Sequence, residues 1–296
     1  MTLLVGFRGG ADDRSGLELA AILARSSGAP LEIVTVVPAS WPTPISGAAD
    51  RDFARWSSEQ GDAAVREAES LVAEICPDLE TTTRWTSSRS AATGLLDAVT
   101  EANADMIVIG SRSDAGHGQV NVGSIASRLL HSSPVPLALA TRGYHPSQGA
   151  RVRRVTCAFR GDESSRSTLE RTAVICTEVG AALRVATFAV RGRTMYPPEV
   201  GVAAEDLVLQ AWLEQAGRAQ TDAVEGLRAG GTAPEALTTV VGAGRSWTAA
   251  LDAVGWERDD VLVVGSSREG RLERLFLGSS ATKIVRHSPV PVIVVP

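Results

Sequence analysis

The feature that most constrains this chain is a segment that occurs twice. Met106–Ala140 runs from an apolar stretch ending at Gly110, through a polar, glycine-rich stretch, to Gly123-Ser124, a short amphipathic segment and a Pro-bracketed apolar run. Val261–Val295 repeats the order, with Gly265 for Gly110, Gly278-Ser279 for Gly123-Ser124, and Pro289 and Pro291 for Pro134 and Pro136. The copies lie about half of the 296-residue chain apart. The repeating unit is therefore a domain, not the ~20–50-residue unit of a solenoid.

The rest of the chain falls into the same two halves. In the first, apolar or β-rich runs at Thr2–Phe7, Leu31–Val37, Glu80–Thr86, Asp105–Gly110 and Pro136–Ala140 read as strands. Helices are expected from Asp12-Asp13 to about Ser27, over Asp52–Ile75 and over Ala91–Ala102, with a fourth opened by Gly123-Ser124. Pro38–Gly47 is a proline-rich loop, and Thr141–Arg151 has the aperiodic Gly, Pro and polar make-up of a linker.

The second half restarts at Arg154–Phe159, with a helix opened by Asp162-Glu163-Ser164. Ala182–Val190, a loop holding Pro197-Pro198, a long helix from about Glu205, Ala236–Val241, Ser246–Val254 and Val261–Gly265 follow. The expected domains are 1–141 and 152–296.

Apolar runs such as MIVIG and VLVVG carry no polar face, so both sides of their sheet need cover. Strand–helix alternation then gives two doubly wound, five-stranded parallel sheets, each with a ligand crevice beyond the carboxyl ends of its strands. On the long helices, Phe53, Trp56, Ala64, Ala68, Leu71 and Ile75 form one helical stripe. Leu209, Trp212, Ala216, Ala219, Ala223 and Leu227 form the other, so Trp56 and Trp212 are expected as core anchors.

Composition narrows the classes. A net charge of −5 argues against a basic nucleic-acid face. No apolar run approaches the ~18 residues of a membrane span, and the N-terminal sequence lacks a signal-peptide pattern. Cys76, Cys157 and Cys176 sit among apolar neighbours without CxxC spacing, as buried cysteines of a reducing compartment do. The expectation is a cytoplasmic protein without nucleic-acid or membrane partners.

The candidate site is the loop after the fourth strand of each half with the helix start that follows. A helix N-terminus offers unpaired N–H groups and a positive dipole end, suited to phosphate. The candidate residues are Gly110, Ser111, Arg112, Gly123 and Ser124 in the first half, and Gly265, Ser266, Arg268, Gly278, Ser279 and Ser280 in the second. A plainer alternative is that the serines cap their helices and the glycines turn the chain. Arg271 is also placed by sequence to meet a phosphate. His117, His131 and His287 have no catalytic partner that the sequence identifies, and no Walker A, GxSxG or paired-carboxylate motif is present.

These residues resemble the universal stress protein family, in both halves and over essentially the whole chain. The resemblance implies a Rossmann-like fold of the adenine nucleotide alpha hydrolase-like class, a stress-linked regulator or sensor, and ATP or AMP as ligand, with Mg left unassigned. The family motif is Gly-x-x-Gly, nine residues, then Gly-Ser/Thr. Its outer spacing survives here, but the second glycine is Ser113 in one half and Arg268 in the other. The family's Asp after strand one, which contacts adenosine, is replaced by Arg8 and Arg160.

A left-handed residue with a Cβ costs roughly 1–2 kcal/mol, and a lost charge-assisted hydrogen bond about 1.5–3 kcal/mol. Together they weaken binding on the order of a hundredfold. Arg8 and Arg160 can offset this by meeting phosphate, or can pair with Asp12/Asp13 and Asp162/Glu163. The competing expectation is a protein-interaction module that has lost the nucleotide; slow ATP hydrolysis is the most that catalysis would amount to. The family commonly pairs domains through the last strand, which implies an internal pseudo-dimer of the halves and leaves a homodimer open.

Overall fold

The computed structural model describes residues 1–10, 14–40, 48–111, 116, 118–120, 122–191, 198–266 and 277–296. The first half comprises β1 (Leu3–Phe7), α1 (Arg14–Ser27), β2 (Leu31–Pro38), α2 (Ala48–Ile75), β3 (Thr81–Ser88), α3 (Ala91–Ala102), β4 (Met106–Ile109), α4 (Ser124–Ser132) and β5 (Leu137–Leu139). The second comprises β6 (Arg154–Ala158), α5 (Glu163–Val179), β7 (Ala182–Val190), α6 (Pro198–Ala229), β8 (Leu237–Gly244), α7 (Trp247–Asp252), β9 (Asp260–Gly265), α8 (Ser279–His287) and β10 (Val292–Val295).

The strands form one ten-stranded sheet in the order β3-β2-β1-β4-β5-β10-β9-β6-β7-β8. Each half contributes five parallel strands, and the halves meet where β5 and β10 pair antiparallel, Leu139 against Val292 and Leu137 against Val294. The two Pro-bracketed runs are thus the seam of an internal pseudo-dimer. Every strand inside the seam is paired on both sides, leaving β3 and β8 as the edges.

Alternation along the strands sorts side chains to two cores. Leu3, Val5, Phe7, Val108, Val155, Cys157 and Val263 join α1, α2, α5 and α6 on one face. Leu4, Ile107, Ile109, Leu262 and Val264 join α3, α4, α7 and α8 on the other. Both cores run across the seam, so neither half keeps a core to itself.

Helix α1 is buried continuously from Ser15 to Arg25 because the linker crosses its outer side. Gly143 N–H donates to Ser15 Oγ (3.1 Å), His145 Nδ1 lies 2.8 Å from Glu18 Oε1, and Val152 N–H donates to Ser26 Oγ (2.8 Å). Arg25 is held by Asp78 (2.8 Å) and by the Ile75 carbonyl (2.8 Å). The linker is irregular, as its composition suggests, yet closely bound.

Two expectations fail on the long helices. Trp56 and Trp212 are not core anchors; they are 46% and 39% exposed. On α2 the inward stripe passes instead through Ser57, Gly61, Ala64, Ala68, Val72 and Ile75, all buried. The small residues leave room for Trp85 of β3, since a Cβ on Gly61 would lie 2.6 Å from its ring. Trp85 Nε1 then donates to Asp62 (2.8 Å).

Helix α6 starts at Pro198, not near Glu205, so Pro198 belongs to the helix and not to the preceding loop. Proline is favoured at a first helical position because no intrahelical N–H bond is lost there.

Candidate functional site

In each half the strand order reverses between the first and fourth strands, and the crevice there opens beyond the carboxyl ends. Pairing of Gly6 with Ile109 makes Arg8 and Gly110-Ser111 leave the sheet side by side. Pairing of Cys157 with Val263 does the same for Arg160 and Gly265-Ser266. The two sequence-derived clusters therefore share one edge of the sheet in each half. Arg112, Arg268 and Arg271, with Ser113, His117, Asp12 and Asp13, lie outside the described residues.

The helix starts follow. Gly123 is the N-cap of α4 and Gly278 that of α8, and neither helix has a side-chain cap hydrogen bond. Ser124 and Ser279 are the first helical residues and are exposed, so the serines do not cap their helices as the plainer alternative held. The N-cap carbonyls are used: Ser127 N–H donates to Gly123 O (2.8 Å) and Thr282 N–H to Gly278 O (2.9 Å). With φ of −70° and −58°, neither glycine is required by backbone conformation. What glycine supplies here is an N-cap with no side chain between the first-turn N–H groups and the crevice.

The candidate serines beside the strands behave differently. Ser111 Oγ donates to the Ala140 carbonyl (2.7 Å), tying the end of β4 to the end of β5. Ser266 is buried, and its carbonyl accepts from Ser164 Oγ (3.3 Å). In the first half the loop is also fastened to the linker: Gly118 N–H donates to Arg142 O (2.9 Å) and Arg142 N–H to Gln119 O (3.0 Å).

Close approach of α1 and α5 shapes the crevice floor. A Cβ on Gly16 would lie 2.8 Å from the Gly110 nitrogen. In the second half the large and small partners exchange: Thr168 stands on the helix, and a Cβ on Gly265 would lie 2.4 Å from its Oγ1.

The segments that follow the first strand of each half differ. After Arg8, Gly10 adopts φ of 131°, open only to glycine at low cost, and its N–H donates to Glu67 Oε1 (2.9 Å). Glu67 was missed in the sequence, although its place beside Ala64 and Ala68 on the inward side of α2 marks it. The matching approach in the second half is to an uncharged group, with Ala219 Cβ 3.5 Å from a Cβ built on Gly161.

Arg160 is paired with Asp162, its Nε donating to Oδ2 at 3.0 Å. Asp162 in turn caps α5 by accepting from Ser165 N–H (2.8 Å). Partial burial pushes the Asp162 carboxyl up, but the Ser165 and Arg160 hydrogen bonds outweigh it and hold the group below the usual carboxylate value.

The fold and site together define a tandem, doubly wound α/β protein with a duplicated open helix start at the switch point of each sheet. The chain belongs to the universal stress protein family, whose family model matches residues 1–140 and again 151–296. It is 40% identical over 296 residues to a universal stress protein of Mycobacterium tuberculosis strain H37Rv, with all of both chains covered. The crystal structure of a universal stress protein from Archaeoglobus fulgidus superimposes with a TM-score of 0.65 at 17% identity, over 99% of this chain and 97% of that one. A universal stress protein solved in complex with cAMP aligns with 48% of this chain and 98% of its own, at 23% identity and a TM-score of 0.34.

Proposed function

We propose that this chain is a non-enzymatic, cytoplasmic stress-response regulator or sensor that binds an adenine nucleotide, ATP or AMP, with weakened affinity. The observation carrying this reading is the pair of helix starts, each led by a glycine N-cap with no side-chain cap. Open N–H groups and the positive helix end favour phosphate there. The nucleoside would lie between the ends of the first and fourth strands, and Ser124 or Ser279–Ser280 would add hydroxyls. No helix among the described residues is long and apolar enough to cross a membrane.

The affinity is weakened because Arg8 and Arg160 stand where the family has an Asp, and Arg160 has to leave Asp162 to meet a phosphate. In the first half, the Glu67 carboxylate stands against the Gly10 backbone near the crevice. The second half is the better site, since Ala219 brings no charge to the corresponding place. Gly110, Ser111 and Gly265 contribute backbone and shape, and Arg8 leaves the sheet beside Gly110-Ser111 at the same edge.

The test is mass spectrometry of small molecules released on denaturing the purified chain, followed by titration with ATP, ADP and AMP. An adenine nucleotide released, or saturable heat, supports the reading. A second reading, a protein-interaction module that has lost its ligand, is favoured by Arg8 and Arg160 at the place of the family's Asp. Silence in both measurements would decide for it.

A further inference from the structure

We infer that the free edge of β8 is a homodimer interface, with a second copy of this chain pairing antiparallel to it about a twofold axis. The inference rests on the sheet alone and is independent of nucleotide binding.

The two edges of the ten-stranded sheet differ in chemistry. The β3 edge carries Arg84, ion-paired to Glu32 (2.7 Å) and Glu101 (3.2 Å), and Trp85, held by Asp62. Charge of that kind is how sheet edges resist pairing with other chains. Strand β8 reads LTTVVGAG, with no charged residue and no proline. Its register with β7 is unbroken from Leu183–Leu237 to Val190–Gly244, so no bulge twists it away.

The direction of its backbone groups follows from the ladder. Ala236 and Gly244 give their carbonyls to Leu183 and Arg191 on the β7 side. Alternate residues point oppositely, so Leu237, Thr239, Val241 and Ala243 turn their N–H and C=O groups outward. Thr238, Thr239 and Ala243 are exposed, so the edge is open to a partner.

A second copy is the occupant because the chain already joins two such five-stranded units in this way. β5 and β10 pair antiparallel through three registered positions, edge to edge. β8 offers a longer edge of eight residues. Antiparallel pairing of β8 with itself is isologous and therefore closes. In the fully overlapped register, Thr239 faces Val241 of the second copy and Leu237 faces Ala243 of the second copy. Every outward N–H and C=O in that set then finds a partner.

Sedimentation of the full chain over 1 to about 100 µM tests this, spanning the range of micromolar affinities. The expected result is a species of twice the 31.0 kDa chain mass. Thr239→Lys sets charge on the edge, and Thr239→Pro removes an outward N–H that β7 does not use. Each is expected to weaken association at least tenfold while the circular dichroism spectrum stays that of the parent. A chain that stays monomeric throughout, or a dimer that survives both variants, overturns the proposal. If Thr239→Pro misfolds, Thr239→Lys alone decides by the same two outcomes.

Discussion

Arg160 is held by the carboxylate of Asp162, two residues along, and the same carboxylate caps the helix that follows. The residue that stands where a nucleotide contact is expected is therefore part of a local brace. Replacing Asp162 with Ala removes the cap, at a cost of about 1 kcal/mol. The ion pair adds little because both groups are substantially exposed.

The same substitution has a pH signature. The Asp162 carboxyl is held below its usual value in the folded chain. Its contribution is fully present above the ordinary aspartate range (~3.9) and is lost as pH falls through the depressed native value. Urea unfolding at pH 7 and near pH 3 should show wild type and Asp162→Ala converging in acid. A gap that stays constant contradicts this account of Asp162.

Asp260 is 1% exposed and serves two cations, Arg154 at 2.6 Å and Arg184 at 3.4 Å. Arg184 lies 4.9 Å from the centre of the Trp256 ring. Burial, then the neighbouring Arg154, push its pKa down. Removing one partner of a buried pair costs about 3–5 kcal/mol, because the other charge is left uncompensated. Asp260→Asn should lose stability on that scale in urea titration, and a loss under about 1 kcal/mol would show that the network is not stabilising.

Gly16 sits against the Gly110 backbone. Alanine there gains up to ~1 kcal/mol of helix propensity but overpacks at a cost of about 1–3 kcal/mol. The overlap is with a backbone nitrogen, which cannot swing aside as a side-chain tip can. Gly16→Ala should therefore be net destabilising in thermal unfolding and should weaken any ligand binding in the first half. An unchanged or raised melting temperature contradicts the packing argument.

Cys76, Cys157 and Cys176 are all buried. Burial pushes their thiols up to about 11, about 12 and about 12. Thiolate is the reactive form, so a thiol-exchange reagent at pH 8 should find no fast-reacting cysteine in the folded chain and three after denaturation. Rapid native labelling of any of them contradicts this.

Much of the fold is legible in the sequence because the apolar runs and their turns occur twice, each copy checking the other. The seam between halves is signalled by the family resemblance, which implies pairing at Val135–Ala140 and Val290–Val295. The outward tryptophans are not, because apolar residues at helical spacing mark a stripe without fixing which neighbouring residue faces the sheet. Ser57, one residue on from Trp56, is buried and donates its hydroxyl to the Pro38 carbonyl at the end of β2 (2.7 Å), so it takes the inward position and Trp56 is turned aside. Arg160 illustrates a second limit: sequence places Asp162 beside it but cannot weigh a local carboxylate against a ligand phosphate.

Calorimetric titration with ATP tests the central claim most directly, using the wild type, Ser124→Asp, Ser279→Asp and the double variant. The aspartates add a negative charge at each helix start, which the dipole tolerates but a phosphate does not. The account predicts saturable heat in the wild type, a larger loss with Ser279→Asp than with Ser124→Asp, and none left in the double variant. Equal binding by all four proteins, or no heat from the wild type at millimolar ATP, contradicts it.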